Sequence, residues 1–251
     1  MFTYCSSFIG YPIVSRLQEF HGKSDSREKF TKSLTTQGPD WEYANLSFNY
    51  SRNSYGHRSK EFTDLDSSNY ILCAGCSVTE GIGLPVEHRY SDVLANLLEC
   101  DVYNLGIGGT GNDIIFYNLV TWFSTIKKKP KLVIIQWTGN TRFLTLVDNK
   151  KIIPNGPWDE DNTDFLVNGD SINYFASKTT MMKQLLRTMI DVPIIEIPWQ
   201  ADEDMRGAQH VFTITPEYSV DLARDLMHLG IKSNHSIANS LFDYIRQVEL
   251  L

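Results

Sequence analysis

With 251 residues and 42% hydrophobic side chains, the chain can bury one sizeable core, so no dense disulfide or metal framework is needed to hold it. A formal net charge of −7, from 23 basic against 30 acidic residues, provides no basic stripe to neutralise phosphates and argues against a nucleic-acid binder. No stretch approaches the roughly 20 apolar residues of a membrane span, no basic and then apolar leader opens the chain, and four irregularly spaced cysteines favour a reducing setting, cytoplasmic or within a larger assembly.

In chain order, residues 1–68 are rich in Tyr, Phe, Asn and Ser with one helical stripe, Val14, Leu17 and Phe20. They are expected to form an irregular N-terminal extension packed on a domain spanning 69–251. From there strand-length apolar runs alternate with amphipathic segments. Tyr70 to Ala74 precedes a helix capped by Ser91 and carrying Val93, Leu94, Leu97 and Leu98; Val102 to Leu105 precedes one whose face is Ile115, Leu119, Trp122, Phe123 and Ile126. Leu132 to Trp137 leads into a long insertion over 142–176 and a helix whose inward face reads Met181, Met182, Leu185, Leu186 and Met189. Val192 to Ile197 is followed by a second insertion over 200–216. A last helix after Ser233 and Asn234 shows Ile237, Leu241, Phe242 and Ile245. Strands buried on both faces and alternating with such helices predict a parallel sheet in an α/β layer fold. Its ligand crevice should lie at the carboxyl ends of the strands, rimmed by the two insertions.

Chemistry-bearing residues stand at those strand ends. Gly75-Cys76-Ser77 follows the first strand, where a serine turning into a helix exposes its hydroxyl at the sheet rim, as a nucleophile must be exposed. The same Ser77-x-x-Glu80 spacing is also a helix capping box. Gly106-Ile-Gly108-Gly109-Thr-Gly111 follows the second strand and lets backbone N–H groups approach a ligand. Asn140, after the third strand, offers an amide donor. Near the end, Asp225-Leu-Met-His228 can place a carboxylate beside an imidazole.

Two rival motifs are weaker. Cys73-Ala-Gly-Cys76 has the C-x-x-C spacing of redox proteins, but Cys73 falls inside an apolar strand rather than at a helix start. Gly106, Gly108 and Gly111 match the dinucleotide fingerprint, yet the next strand ends in Trp137-Thr138-Gly139-Asn140 without the acidic residue that would hold a ribose.

Gly-x-Ser, the Gly-rich turn, Gly-Asn and a late Asp-x-x-His, in this order and at comparable spacing over residues 70–247, resemble blocks I, II, III and V of the SGNH (GDSL-type) hydrolases. The resemblance implies a three-layer α/β/α sandwich, flavodoxin-like, on a five-stranded parallel sheet whose last strand would be Val211 to Ile214. It also implies a serine esterase with Ser77 as nucleophile, His228 as base and Asp225 as its acid partner. The oxyanion hole would be the Ser77 and Gly109 N–H groups with the Asn140 amide, and neither metal nor organic cofactor is involved. This chain departs from the pattern at Cys76, which replaces the Asp of Gly-Asp-Ser, at Thr141 after Asn140, and at Leu229, where proline commonly follows the histidine. The rim residues Trp158, Asp159 and Asn162 combine an aromatic platform with polar groups, which suits an acetylated carbohydrate better than an acyl chain. The alternatives are a lipid or lysophospholipid acyl-esterase and a catalytically silent binding or structural module on the same fold.

Overall fold

The computed structural model describes residues 3–5, 7–12, 17–22, 24–147, 151–158, 169–200, 203 and 205–251. Among the described residues before residue 69 there are four short strands and one α-helix. Strands β1 (Thr3–Cys5) and β2 (Phe8–Gly10) form an antiparallel pair, as do β3 (Leu17–Gln18) and β4 (Tyr50–Ser51), and α1 spans Arg27–Gln37. Among the described residues, the helical stripe expected at Val14, Leu17 and Phe20 is not helical. Val14 lies outside the described residues, and Leu17 sits in β3 with 60% of its surface exposed. The helix falls instead on the polar 27–37 segment, where Ser26 accepts the Lys29 N–H at its N-cap and Gly38 ends it. An apolar stripe was the wrong signal there, because this helix buries little and is set by its cap.

Five strands make the central sheet: β5 (Tyr70–Ala74), β6 (Asp101–Asn104), β7 (Leu132–Gln136), β10 (Ile194–Ile197) and β11 (His210–Val211), all parallel in the order β11-β10-β7-β5-β6. The fifth strand is His210–Val211, a residue earlier and shorter than the expected 211–214; beyond it the Phe212 N–H still donates to Glu196 O at 3.0 Å. Between β7 and β10 lies an antiparallel hairpin, β8 (Phe143–Val147) and β9 (Lys151–Asn155), so part of the expected insertion is ordered sheet.

Helices α2 (Ser77–Glu80), α3 (Tyr90–Leu97), α4 (Asn112–Thr125), α5 (Gly169–Met189) and α6 (Ile231–Gln247) complete the layers. Alternation along β5 sorts the two cores: Tyr70, Leu72 and Ala74 pack with Leu119, Trp122 and Leu186 from α4 and α5, while Ile71 and Cys73 pack with Leu94, Leu241 and Ile245 from α3 and α6. Each of these large apolar side chains, when fully buried, contributes about 1.5–3 kcal/mol of transfer free energy.

Two helix readings shift. Helix α3 begins at Tyr90 with Arg89 as N-cap, and Ser91 turns inward, where its hydroxyl donates to Asp92 and accepts from Asn104 Nδ2 at 3.0 Å. On α5 the inward face is Phe175, Thr179, Met182, Lys183 and Leu186, leaving Met181 and Leu185 outside at 68% and 48% exposure. Lys183 can turn inward because it pairs with Glu203 at 2.5 Å and lies over the Trp137 ring. Hydropathy ranks methionine above lysine, but a bonded lysine won the position.

Candidate active site

Strand β5 leads to Gly75, where a Cβ would sit 2.2 Å from Thr79 Oγ1; only glycine lets the chain turn this tightly into α2. Cys76 is the N-cap and Ser77 the first helical residue. The capping-box reading fails on this geometry, since Glu80 turns away from Ser77 and the Ser77 hydroxyl caps nothing. Its one hydrogen-bond contact among the described residues is the Cys76 thiol at 3.8 Å. Helix α2 is a single turn, so its macrodipole is small, but the Ser77 N–H keeps its position among the unpaired donors of a first turn.

Glu80 has a different task. Its buried carboxylate accepts the Gly108 N–H at 2.6 Å and the Tyr11 hydroxyl at 2.9 Å, meets His21 Nε2 at 3.0 Å, and has Arg52 at 3.9 Å. Burial alone would raise its pKa. The His21 and Arg52 charges and the Gly108 N–H outweigh burial and hold it at about 2. A carboxylate on the serine's own helical turn thereby fixes the glycine-rich turn opposite. Folded Glu80 sits below its usual 4.5, so its stabilisation is present above about pH 4.5 and lost as pH falls toward 2. Glu80→Gln is expected to lower unfolding free energy at pH 7 by on the order of 3 kcal/mol. Urea unfolding across acid pH should show that gap closing, and a gap independent of pH would assign the loss to packing alone.

Within the glycine-rich turn, Gly106 N–H donates to Asn104 Oδ1, Ile107 N–H to Gly75 O and Gly108 N–H to Glu80. With these amides already used by the protein, the dinucleotide fingerprint has no free cradle. The Gly109 N–H is different: it has no acceptor among the described residues, its φ is +75°, and the space where a Cβ would stand is open.

Asn140 follows β7 on a loop clamped by Asn112. The Asn112 side chain accepts the Thr138 N–H at 2.9 Å and donates to Thr138 O at 2.9 Å and to Asn140 Oδ1 at 3.3 Å. That clamp orients Asn140 without the usual following aspartate. Nδ2 of Asn140 is left with no acceptor among the described residues.

Asp225 and His228 come together as expected. Asp225 Oδ2 lies 2.5 Å from His228 Nδ1, and Oδ1 accepts the N–H groups of Met227 and His228, each at 3.1 Å. Burial raises the Asp225 pKa, but these bonds and the imidazole bring it below its usual value. The turn is held in a strained form, with Leu226 at φ +55°, by Ala223 N–H to His228 O at 2.8 Å and Leu226 N–H to Ala223 O at 2.8 Å. The adjacent Arg224 anchors it: its guanidinium grips Asp25 at 2.6 Å and lies 3.9 Å from the Phe48 centroid. Tyr50 bridges Asp25 to the Gly83 N–H at 2.7 Å, and Arg224 N–H donates to Gly83 O at 3.1 Å. The loop leaving α2 and the Asp225–His228 turn are thus tied side by side. No hydrogen bond joins Ser77 Oγ to His228 Nε2, and Nε2 has no partner among the described residues.

Cys73 is buried, its thiol pushed up by burial, and Cys73, Cys76 and Cys100 are free thiols. A buried thiol of that kind is inert, which removes the redox reading of Cys73 and Cys76. Of the expected carbohydrate rim, Trp158 is half exposed, while Asp159 and Asn162 lie outside the described residues. The residues that sequence reasoning missed are Tyr11, His21, Asp25, Tyr50 and Arg52 behind the site, and Arg142 beside it. Among these, only Arg142 stands near a recognised motif.

Comparison with protein-family models and with curated protein sequences finds no match. Solved structures do match. An acetyl xylan esterase from the rumen bacterium Butyrivibrio proteoclasticus superposes with a TM-score of 0.50 at 16% identity, over 82% of this chain and 67% of that one. A family two carbohydrate esterase from Clostridium thermocellum, in complex with cellohexaose, gives 0.47 at 16% identity over 74% and 66%. A psychrotrophic esterase from a Pseudoalteromonas species gives 0.45 at 12% identity over 72% and 98%. The chain spans about two thirds of the length of the first two. It shares with the acetyl xylan esterase structure an α/β/α sandwich on a five-stranded parallel sheet. No helix among the described residues is long and apolar enough to cross a membrane.

Proposed function

We propose that this chain is a serine ester hydrolase in which Ser77 attacks the carbonyl, His228 moves the proton and Asp225 holds the imidazole. The observation that carries the reading is the Asp225–His228 pair, a buried carboxylate at 2.5 Å from Nδ1 with Nε2 unpaired among the described residues. Nδ1–H bound to a carboxylate leaves Nε2 as the basic atom, the tautomer general-base chemistry needs. Ser77 Oγ adds to the ester carbonyl while its proton passes to Nε2. The negative charge that develops on the carbonyl oxygen would meet three donors that have no acceptor among the described residues, the N–H groups of Ser77 and Gly109 and the Asn140 amide. Collapse expels the alcohol, which takes the proton from His228. Water then releases the acyl group by the reverse sequence.

An acetylated carbohydrate is the substrate class we favour. The support is the rim, where the half-exposed indoles of Trp158 and Trp199 can stack on sugar rings. The Butyrivibrio proteoclasticus structure is that of an acetyl xylan esterase. Incubation with a fluorophosphonate probe should label Ser77, and acetylated sugars should be cleaved faster than long-chain p-nitrophenyl esters. A second reading, a silent module on the same fold, draws on the missing hydrogen bond between Ser77 and His228. Catalytic hydrogen bonds often tighten only with substrate bound, and an unlabelled Ser77 would decide for the silent module.

Asn140→Ala is expected to lower kcat by roughly 10² to 10³-fold with little change in KM, since its amide acts on charge formed in the transition state. Near-parental turnover on an ester whose chemistry is rate-limiting would make Asn140 a turn residue. Asn140→Asp should be at least as damaging, because it sets a like charge beside the oxyanion and, by stabilising protonated His228, moves the onset of activity to higher pH.

A further inference from the structure

Arg142 stands two residues past Asn140 and is half-buried. Its guanidinium lies 5.1 Å from the Trp158 ring centroid and 4.9 Å from that of Trp199. Nη1 donates to Cys76 Sγ at 2.9 Å, and the same sulfur is 3.8 Å from Ser77 Oγ. One side chain therefore links the indole rim to the residue beside the nucleophile. Cys76 stands where the Gly-Asp-Ser pattern has an Asp, so the side chain that Arg142 meets there is a thiol and not a carboxylate.

Among the described residues, other charged side chains are already bound. Glu203, which shares a cleft of about 220 Å³ with Asn140 and Trp199, takes Lys183 at 2.5 Å and the Trp199 N–H at 2.8 Å. Asp113 has Lys178 at 3.5 Å. Arg224, Arg187 and Arg89 each pair with a carboxylate. Arg142 has no carboxylate or carbonyl acceptor for its side chain among the described residues. A thiol is a weak acceptor, and aromatic contact steadies a guanidinium while its planar N–H edge stays able to bind an anion. A partly desolvated cation without a counter-ion costs free energy that an arriving anion offsets.

We propose that Arg142 recognises a carboxylate on the substrate, so that the preferred esters are those of acidic sugars rather than neutral ones. One guanidinium balances one negative charge, and its fork fits a planar carboxylate through two parallel hydrogen bonds. This inference rests on Ser77 being the nucleophile of the site.

The test uses a matched pair of probes, the monoacetates of methyl glucuronoside and methyl glucoside, which differ by a carboxylate against a hydroxymethyl group. The parent protein is expected to show kcat/KM about ten-fold higher or more for the glucuronoside, falling as salt rises. Arg142→Gln should bring that ratio close to one, and Arg142→Lys should restore only part of it, since an ammonium lacks the fork. Binding of both acetates to Ser77→Ala protein, followed by calorimetry, gives the same comparison without turnover. A ratio near one in the parent, or one unchanged by Arg142→Gln, overturns the inference while ester hydrolysis and Ser77 labelling stand. Absence of hydrolysis and of labelling, with the glucuronoside still bound through Arg142, overturns the esterase reading and keeps the carboxylate site.

Discussion

Ser77→Ala is expected to reduce ester hydrolysis by roughly 10³-fold or more while leaving the fold and its unfolding midpoint nearly unchanged. Two features of the structure separate these effects. The hydroxyl caps no helix, because Cys76 holds the N-cap position and Glu80 points to Gly108. It has only the Cys76 thiol for a neighbour at hydrogen-bonding range among the described residues, so its removal leaves no stranded buried partner. Losses near 10⁶ accompany removal of triad nucleophiles elsewhere, the remainder coming from oxyanion donors and binding. Steady-state hydrolysis of p-nitrophenyl acetate and thermal unfolding, measured together, check both halves. Turnover above about a hundredth of the parent's would remove Ser77 from the chemistry. A large drop in stability would return it to a capping role.

Asp225→Asn is expected to lower kcat by on the order of 10⁴-fold with the turn still formed. An amide oxygen can keep the two backbone bonds now made by Oδ1, from the Met227 and His228 N–H groups, so the strained Leu226 conformation retains its support. The amide nitrogen would then face His228 Nδ1 and donate to it. That bond places the imidazole proton on Nε2, the atom that must accept from Ser77, and the base is lost without any change of shape. NMR of the imidazole nitrogens should report the tautomer, and a pH–rate profile the activity. Near-parental turnover in the Asp225→Asn variant would mean that His228 needs no carboxylate and that the pair is structural.

Much of the scaffold was readable from short stretches of sequence. Tyr70–Ala74 falls where its unbroken apolar run placed it, and α4 buries Ile115, Leu119 and Trp122 at the spacing that predicted it. Asp225 and His228 meet across a turn of four residues, as their spacing allows, and Arg224 on Asp25 anchors that turn. Two misplacements trace to partners distant in sequence. On α5 the inward face was chosen by Glu203 and Trp137, which lie far along the chain and make a buried Lys183 acceptable. In the 14–20 stretch the apolar spacing predicts a helix, while pairing with Tyr50–Ser51 makes Leu17–Gln18 a strand.

What the sequence determined by itself is the alternation of strands and helices, and the delivery of Ser77, Gly109 and Asn140 to one edge of the sheet, since those depend on periodicity and turn chemistry within a few residues. What only the tertiary structure decided is which charges are matched. Glu80 looked like a cap until Tyr11, His21 and Arg52 were found around it, Arg224 carries its turn on Asp25 from 199 positions away, and Arg142 proved to have aromatic faces and a thiol but no acid among the described residues. A buried charge takes its partner from whatever distant segment fills the space beside it, and sequence spacing carries no record of that choice.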